Sequence, residues 1–403
     1  MAKSNKPDAS RRTFVTGVAG AGALASLPMA QALAQTEPPN TISNDIVKGE
    51  KAKSMQWHSE RPLTGSVPAH EHDFDTTPND RMFVRNNLTT PLIDLKAHRL
   101  KLTGLVDKEL EFSVYDLAKN FKTVSMRGMI ECAGSGRAAF QPRASGTPWL
   151  DTGGMGCPLW GGVRLVDLLK AAGLKPGAAH VAGQGGDPGL VPTAAPVIRS
   201  IPMAKAMNES TLVAWAMNNE PLPWVHGYPL RLVVPGWVGS ASTKWLHTLT
   251  VFDAPFKGTY MTSSYVMPRV PVAPGEKMPP LTVSTEAWPV KSIITSPAPN
   301  ARTKGPVLVR GRAWVGEGAV DRVEISSDEG KTWQRADLAP ADRLHPYAWR
   351  RFEYDYRPQG PGYVSFLARA WDDKGNAQPA VSQWNPLGYF WNGWHRVGVV
   401  VEA

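Results

Sequence analysis

The stretch Val124-Ser-Met-Arg-Gly-Met-Ile-Glu-Cys-Ala-Gly-Ser-Gly-Arg-Ala-Ala-Phe140 decides how this chain is interpreted. Its apolar residues Val124, Met126 and Ile130 predict a short strand, which Gly128 weakens. A polar and glycine-rich segment follows the strand directly, so the strand is expected to deliver that segment to a defined place in the fold.

A cysteine stands between this strand and the glycine-rich loop. Residues 133–136 read Ala-Gly-Ser-Gly, and small side chains let a bulky ligand approach the backbone. The guanidinium of Arg137 is expected to favour the thiolate form of Cys132, which is the form that binds metal ions. A buried structural cysteine or a disulfide in a glycine turn is the alternative, because a single Cys-x-Gly-x-Gly pattern is not specific.

Length and composition indicate a globular protein of two or three domains. The chain has 403 residues, of which 42% are hydrophobic and 20% charged. The 36 prolines and 37 glycines favour turns and strands over long helices. The net charge is +9, and residues 1–34 contribute +3 of it, which leaves 9 − 3 = +6. No basic run interleaved with aromatic residues occurs, which argues against nucleic-acid binding. The positive charge suits an anionic substrate or an acidic partner, or serves solubility alone.

The first residues carry the pattern of a twin-arginine export signal. Ser10-Arg-Arg-Thr-Phe-Val15 precedes a weakly apolar run, and Ala32-Leu-Ala34 offers a cleavage site. We therefore expect residues 1–34 to be a signal peptide and the mature protein to be periplasmic. The run is too short and too rich in glycine to span a membrane stably.

The export signal bears on the two cysteines, Cys132 and Cys157. Twin-arginine export moves proteins that have folded in the cytoplasm, where reducing conditions disfavour a structural disulfide. A cofactor thiolate at Cys132 is therefore favoured, and a disulfide between the two cysteines is the alternative. Two cysteines are too few for four-cysteine zinc or iron–sulfur sites, and no Cys-x-x-Cys-His haem motif is present.

Local patterns predict an α+β fold in the first two thirds of the chain. A capping box at Ser113–Asp116 predicts a helix that ends near Asn120. Helical spacing predicts a second helix over 163–172, and Ser200-Ile-Pro202 begins a third that runs through Met207. Strands are predicted over 81–91, where the strand ends in a polar loop, and over 100–104, 212–217, 230–234 and 245–251.

The remaining segments divide the chain further. Residues 35–80 are polar and proline-rich and predict an extended N-terminal arm, and residues 260–289 predict a proline-rich linker. Eight of the 15 tryptophans follow residue 285. The pattern from 290 to 403 predicts a β-sandwich with strands over 307–314, 320–326, 352–356 and 363–371.

Six motifs together resemble the sulfite oxidase family of molybdenum–pterin enzymes, over nearly all of the mature chain. In family order they are Phe83-Val-Arg-Asn86, Glu131-Cys-Ala-Gly-Ser-Gly-Arg137, His226-Gly-Tyr-Pro-Leu-Arg231, Val234-Pro-Gly-Trp237, Lys244-Trp-Leu246 and Trp394-His-Arg-Val397. The runs Arg61-Pro-Leu-Thr-Gly-Ser-Val-Pro68 and Pro271-Val-Ala-Pro-Gly275 are similar to bacterial periplasmic sulfite dehydrogenases and to the molybdenum subunit of the Sox sulfane dehydrogenase.

This resemblance implies a fold and a set of site residues. It implies a mixed-sheet molybdopterin domain over 81–259, a substrate-site segment within 260–289 and an immunoglobulin-like dimerisation domain over 290–403. It implies that Cys132 is the protein ligand of molybdenum, and a soft thiolate suits that ion. The residues implied near the substrate oxyanion are Arg85, Arg137, Trp149 and Tyr265. The residues implied at the pterin or its phosphate are Asn87, Asp187, His226, Arg231, Ser242, Thr243 and Lys244.

Each of these residues also has an ordinary structural interpretation. Arg85 and Arg231 suit surface positions or ion pairs on strands, and Trp149 suits a plain core. His226 suits a hydrogen bond within a turn, and Asp187 suits a turn in a glycine-rich loop.

Two positions depart from the family pattern. Asn87 stands where the family often has histidine, which alters that pterin contact. In Trp384-Asn-Pro-Leu-Gly388, Leu387 stands where animal sulfite oxidases have an arginine. The lost cation weakens the case for free sulfite and admits a larger, less charged sulfur substrate.

The implied activity is periplasmic oxidation of sulfite, or of a sulfur compound derived from sulfane or thiosulfate. Oxygen would come from an oxo group on molybdenum, and electrons would pass to a c-type cytochrome such as a dihaem subunit. The chain is expected to carry no haem, to form a homodimer and not to span a membrane. The alternatives are a family reductase acting on nitrate or a sulfoxide, and an exported binding protein without redox chemistry.

Overall fold

Short helices and many strands make up the protein in the computed structural model, which describes residues 40–149, 152–191 and 193–403. The expected signal peptide and the first residues of the N-terminal arm lie outside these described residues. Within the described ranges the helices are α1 Asn44–Gly49, α2 Val114–Asn120, α3 Leu165–Ala172, α4 Met203–Ala206 and α5 Thr259–Thr262. None of these helices has the length and hydropathy that crossing a bilayer requires.

Strands before residue 290 form several small sheets. In chain order they are β1 Gln56–Glu60, β2 Leu63–Ser66, β3 Val84–Arg85, β4 Leu100–Gly104, β5 Leu110–Phe112, β6 Thr123–Arg127, β7 Ile130–Glu131, β8 Met155–Gly156, β9 Leu159–Arg164, β10 His180–Gly185, β11 Ile198–Pro202, β12 Leu212–Met217, β13 Glu220–Pro221, β14 Arg231–Val233, β15 Leu246–Phe252, β16 Val266–Pro268 and β17 Thr282–Ser284. One five-stranded sheet has the order β11-β10-β15-β4-β5, and its β15–β4 pair is parallel. A second sheet has the order β13-β12-β9-β6, with β14 also paired to β12. This mixed arrangement confirms the α+β prediction.

The C-terminal strands form two facing sheets. They are β18 Lys291–Ser296, β19 Arg302–Lys304, β20 Val307–Trp314, β21 Val320–Ser326, β22 Gln334–Arg335, β23 Asp337–Leu338, β24 Arg350–Tyr356, β25 Gly362–Asp372 and β26 His395–Glu402. The sheets have the orders β18-β20-β24-β23 and β19-β26-β25-β21-β22, and an apolar core that includes Phe352 and Phe366 lies between them. The four strands predicted from sequence are all present, with ends that differ by no more than two residues.

The first predicted helix is confirmed by its cap. The Ser113 hydroxyl accepts a hydrogen bond from the Asp116 amide at 3.1 Å, and the Asp116 carboxylate accepts one from the Ser113 amide at 2.9 Å. This reciprocal pair satisfies donors that the start of a helix leaves free.

Two predicted helix starts are wrong. Val163 belongs to β9, where it pairs with Val213 of β12, so α3 begins only at Leu165. Ser200 belongs to β11 and pairs with Ala182, so α4 begins only at Met203. In both places strand pairing with distant residues overrides the local helical spacing.

Two predicted extended segments also differ. Within 81–91, predicted as a strand that ends in a polar loop, only β3 is strand, and it pairs with β2 over two residues. The segment 40–80, predicted as an extended arm, contains α1, β1 and β2. It therefore forms its own small sheet with β3.

Candidate active site

Cys132 is placed by the short pair of strands β7 and β8. Its amide donates to the Gly154 carbonyl at 2.9 Å, and its own carbonyl accepts from the Ser135 amide at 2.8 Å. The residue is buried, and its side chain lines a cavity. The strand predicted before Cys132 thus delivers the thiol to a cavity wall.

Ten of the twelve residues predicted for the site line this one cavity. They are Arg85, Asn87, Cys132, Asp187, His226, Arg231, Ser242, Thr243, Lys244 and Tyr265. They come from segments that are far apart in the sequence, and the fold brings them together. Their individual roles stay predictions.

Both cysteines are free, so the alternative of a disulfide between Cys132 and Cys157 does not hold. Burial raises the pKa of the Cys132 thiol, and the charges of Arg85 and Arg137 only partly oppose that effect. The expected bias towards thiolate is therefore wrong for the protein alone. A metal ion would displace the thiol proton, because metal ligands bind in their deprotonated form.

Positive charge dominates the cavity wall. The described residues that line it include three basic side chains, Arg85, Arg231 and Lys244, and one carboxylate, Asp187. Burial raises the pKa of Asp187 to about 6, so this carboxylate is still largely ionised at pH 7. Burial and the neighbouring Arg231 lower the pKa of Lys244 well below its usual range, so an anion bound beside it would favour its charged form. The wall therefore favours an anionic ligand.

Arg231 is a buried cation with few hydrogen-bond partners among the described residues. Its side chain is buried, one nitrogen donates to the His226 carbonyl at 3.1 Å, and its Nε has no partner among the described residues. Burial lowers the pKa of Arg231 to about 9. The hydroxyl of Ser240, which also lines the cavity, likewise has no partner in the described part of the chain.

Tyr265 and Asn87 form a polar contact at the same cavity. The Tyr265 hydroxyl donates to Asn87 Oδ1 at 3.0 Å, and its ring stacks on Tyr389 with centroids 5.6 Å apart. Tyr265 and Trp245 both have positive φ angles, +55° and +52°. Such angles are strained for bulky residues and concentrate at functional sites.

Arg137 and Trp149, the two remaining predicted residues, do not line the cavity. Arg137 donates to the carbonyls of Thr147 at 3.0 Å and Leu387 at 2.9 Å. A Cβ on Gly134 would come within 2.7 Å of its guanidinium, so the glycine loop accommodates this arginine. Trp149 is fully buried, and its ring packs near Phe83 at 6.1 Å between centroids. The small residues of the loop thus admit side chains of the protein itself.

Two basic residues at the site were missed by the sequence reasoning. Lys51, from the segment predicted as an arm, has its Nζ 2.5 Å from His226 Nε2. Arg199 lies 5.2 Å from the ring centroid of Tyr265 and donates to the Thr285 carbonyl at 2.8 Å. Neither residue belongs to a local motif, so only their burial in the fold identifies them.

The donor set of the cavity fits a molybdenum–pterin cofactor. Among the described residues, no group of three or more His, Cys, Asp or Glu side chains could hold a metal ion. Cys132 is therefore the candidate for a single protein ligand, with further ligands supplied by the cofactor itself. Within the described part of the chain the Nε of Arg231 has no partner and the cations of the cavity wall outnumber its carboxylates, which suits the phosphate of such a cofactor.

Comparisons with known proteins define the class. The model of the oxidoreductase molybdopterin binding domain matches residues 87–260, and the model of the Mo-co oxidoreductase dimerisation domain matches residues 282–402. The protein is therefore a molybdenum oxidoreductase in which a molybdopterin-binding domain precedes a β-sandwich domain.

Individual relatives define the family. The chain is 33% identical to the mitochondrial sulfite oxidase of Rattus norvegicus over 381 residues, which cover 91% of this chain and 68% of the rat protein. It is 30% identical to the sulfite oxidase of Arabidopsis thaliana over 390 residues, 90% of this chain and 95% of that protein. The crystal structure of the sulfane dehydrogenase SoxCD from Paracoccus pantotrophus matches 89% of this chain and 90% of that chain, with a TM-score of 0.73 and 29% identity. The chain belongs to the sulfite oxidase family.

Proposed function

We propose that this protein oxidises sulfite or a related sulfur anion with a molybdenum–pterin cofactor. The observation that carries the proposal is that Cys132 and Arg85 line one cavity whose cations outnumber its carboxylates. The cofactor supplies the oxygen transfer and the redox change when it is bound. The remaining chemistry is binding, orientation and charge neutralisation by residues of this chain.

These residues divide into two functional groups. Cys132 would hold the metal through its sulfur, and Arg231 and Lys244 would neutralise the cofactor phosphate. Arg85 would hold the substrate oxyanion and stabilise negative charge that develops on it. The Tyr265 hydroxyl would donate a hydrogen bond near the reacting oxygen.

The substrate is proposed to be a sulfane-type or thiosulfate-derived compound in preference to free sulfite. Leu387 packs against the apolar core, and its carbonyl accepts from Arg137. The position thus contributes no cation to the described cavity wall, whereas a small dianion such as sulfite would benefit from one. The similarity to a sulfane dehydrogenase over nine tenths of the chain supports the same choice.

We further propose a periplasmic homodimer that passes electrons to a c-type cytochrome. The match of residues 282–402 to a dimerisation domain supports the dimer. The twin-arginine pattern at residues 10–15 supports the periplasmic location. An exported enzyme has no access to cytoplasmic nicotinamide, so a protein acceptor is the simplest route for the electrons.

A molybdenum assay combined with turnover tests the proposal. Purified protein should contain about one molybdenum per chain and should reduce cytochrome c with a sulfur donor, faster for carrier-bound sulfane or thiosulfate than for sulfite. The rate should fall as ionic strength rises, because charge steers the two proteins together. Nitrate or sulfoxide reduction without sulfur oxidation would instead favour a reductase.

Assembly and export have separate tests. Light scattering at micromolar concentration should give the mass of two chains, and a monomer would reject the dimer. Replacing Arg11 and Arg12 by lysine should retain the precursor in the cytoplasm. Periplasmic protein from that variant would reject the twin-arginine route.

A further inference from the structure

We propose that the buried ion pair between Glu131 and Lys291 positions Cys132, so that the C-terminal domain forms part of the active site. Glu131 directly precedes Cys132, and Lys291 is the first residue of β18 in the C-terminal domain. The Lys291 Nζ lies 2.6 Å from Glu131 Oε1, and neither side chain has exposed surface. The pair therefore joins the two domains at the residue beside the thiol.

Three residues that follow residue 285 in the sequence bind Glu131. Besides Lys291, the Trp314 indole donates to the second carboxylate oxygen, Oε2, at 3.0 Å. The Trp288 indole donates to the main-chain carbonyl of Glu131 at 3.3 Å. Both carboxylate oxygens and the carbonyl are thus fixed, which leaves the residue little freedom to move.

Lys291 is fixed just as firmly. Its ammonium lies 5.0, 5.7 and 5.3 Å from the ring centroids of Trp288, Trp314 and Trp391. Aromatic faces attract a cation, and a buried cation that loses its carboxylate is strongly unfavourable. The pair therefore resists any displacement that would separate its partners.

The backbone connects Glu131 to the residues that line the cavity. Glu131 forms bridges to Met155 on one side and Val238 on the other. Cys132 follows on the same strand end, and Gly239 and Ser240, which follow Val238, also line the cavity. A shift of Glu131 would move two walls of the site, and displacements near 1 Å are enough to reduce turnover by roughly 10²-fold.

The inference deepens the proposed function, since a fixed thiol matters most if Cys132 binds the metal. It makes Glu131 and Lys291 positioning residues, because neither lines the cavity. The same observation gives the β-sandwich a part in the site as well as in assembly.

The test begins with Lys291→Met, which keeps the length of the side chain and removes its charge. In the cofactor-free protein, alkylation of Cys132 by iodoacetamide should become at least about tenfold faster, because the loop loses its anchor. Alkylation of Cys157, which is also buried, should change less than about twofold and reports global opening. In the loaded enzyme, kcat should fall at least about tenfold with KM within about threefold, and the thiolate-to-molybdenum absorption band should shift.

Asp73→Asn is the matched control. Asp73 forms an ion pair with Arg310 of the C-terminal domain, with 2.6 Å between Asp73 Oδ2 and Arg310 Nη2, and does not line the cavity. Its loss should lower the melting temperature while leaving Cys132 alkylation and the absorption band unchanged. If Lys291→Met is insoluble, the double variant Glu131→Gln/Lys291→Met carries the same measurement, because no unpaired charge is left buried.

Equal acceleration at both cysteines, or none at Cys132, would overturn the positioning role. Failure of the proposed function would show in a different experiment. Near-wild-type sulfur oxidation by Cys132→Ser protein would remove the ligand role and leave the alkylation result for Lys291→Met intact.

Discussion

Arg231 offers the sharpest test of whether the cavity is built for an anion. Arg231→Met removes a guanidinium that is buried and, among the described residues, has a backbone carbonyl as its hydrogen-bond partner. Burial takes the pKa of Arg231 from 12.5 to about 9, which corresponds to about 5 kcal/mol at ~1.36 kcal/mol per pH unit. At pH 7 the group is protonated in both folded and unfolded chains, so this cost applies in full.

The net effect of the substitution follows from what is lost with the charge. The hydrogen bond to the His226 carbonyl and the contact with the Trp160 ring, 5.1 Å away, together contribute about 2–3 kcal/mol. We therefore expect Arg231→Met to raise the free energy of unfolding of the cofactor-free protein by about 2 kcal/mol. The variant should at the same time lose most of its bound pterin, since the phosphate loses a cation.

Arg312→Met is the control with the opposite expected sign. Arg312 is equally buried, but its Nη1 lies 3.4 Å from Asp73 Oδ1 and its Nη2 3.9 Å from Asp75 Oδ1. Removing a paired buried cation should lower the free energy of unfolding by about 2–4 kcal/mol.

Urea unfolding of the cofactor-free proteins at pH 7, with and without about 10 mM pyrophosphate, measures both effects. Pyrophosphate should stabilise the wild type and leave Arg231→Met nearly unchanged. The reasoning is refuted if both arginine variants lose similar stability, or if pyrophosphate stabilises Arg231→Met as much as the wild type.

Three further outcomes are expected. Cys132→Ser should abolish sulfur oxidation in a protein that still folds and keeps most of its pterin, whereas Cys157→Ser should stay close to wild-type turnover. An active Cys132→Ser protein and an inactive Cys157→Ser protein would exchange their roles. Tyr265→Phe keeps the ring but loses the hydrogen bond to Asn87. We expect kcat to fall about tenfold or more, while the melting temperature stays within a few degrees of the wild-type value. An unchanged kcat would show that the hydroxyl takes no part in the reaction. Burial lowers the pKa of Lys51 to about 7, so the unfolded chain binds more protons from pH 7 up to about 10.5 and stability should rise with pH across that window. The cofactor-free protein should gain about 2 kcal/mol between pH 7 and 9, and this gain should shrink in Lys51→Met; an equal gain in both proteins would contradict the assignment.

Much of the fold and of the site could be predicted from sequence because the signals are local. The capping box at Ser113–Asp116 contains both halves of its own hydrogen-bonding pattern, and the sandwich strands carry turn residues at their ends. The motifs around Cys132, His226 and Lys244 hold several site residues each, so recognising one motif supplies its neighbours too. That is why ten of the twelve predicted residues share one cavity.

The tertiary structure alone decided what depends on distant partners. Val163 lies in a strand because Val213 pairs with it, although its local spacing is helical. Burial makes the pKa of Cys132 rise, although Arg137 stands five residues away in the sequence.

The same holds for the residues that hold the site from afar. Lys51 reaches His226 from 175 positions away, and Lys291 reaches Glu131 from 160 positions away. A sequence pattern records which residue types are neighbours along the chain, whereas charge, burial and packing depend on neighbours in space.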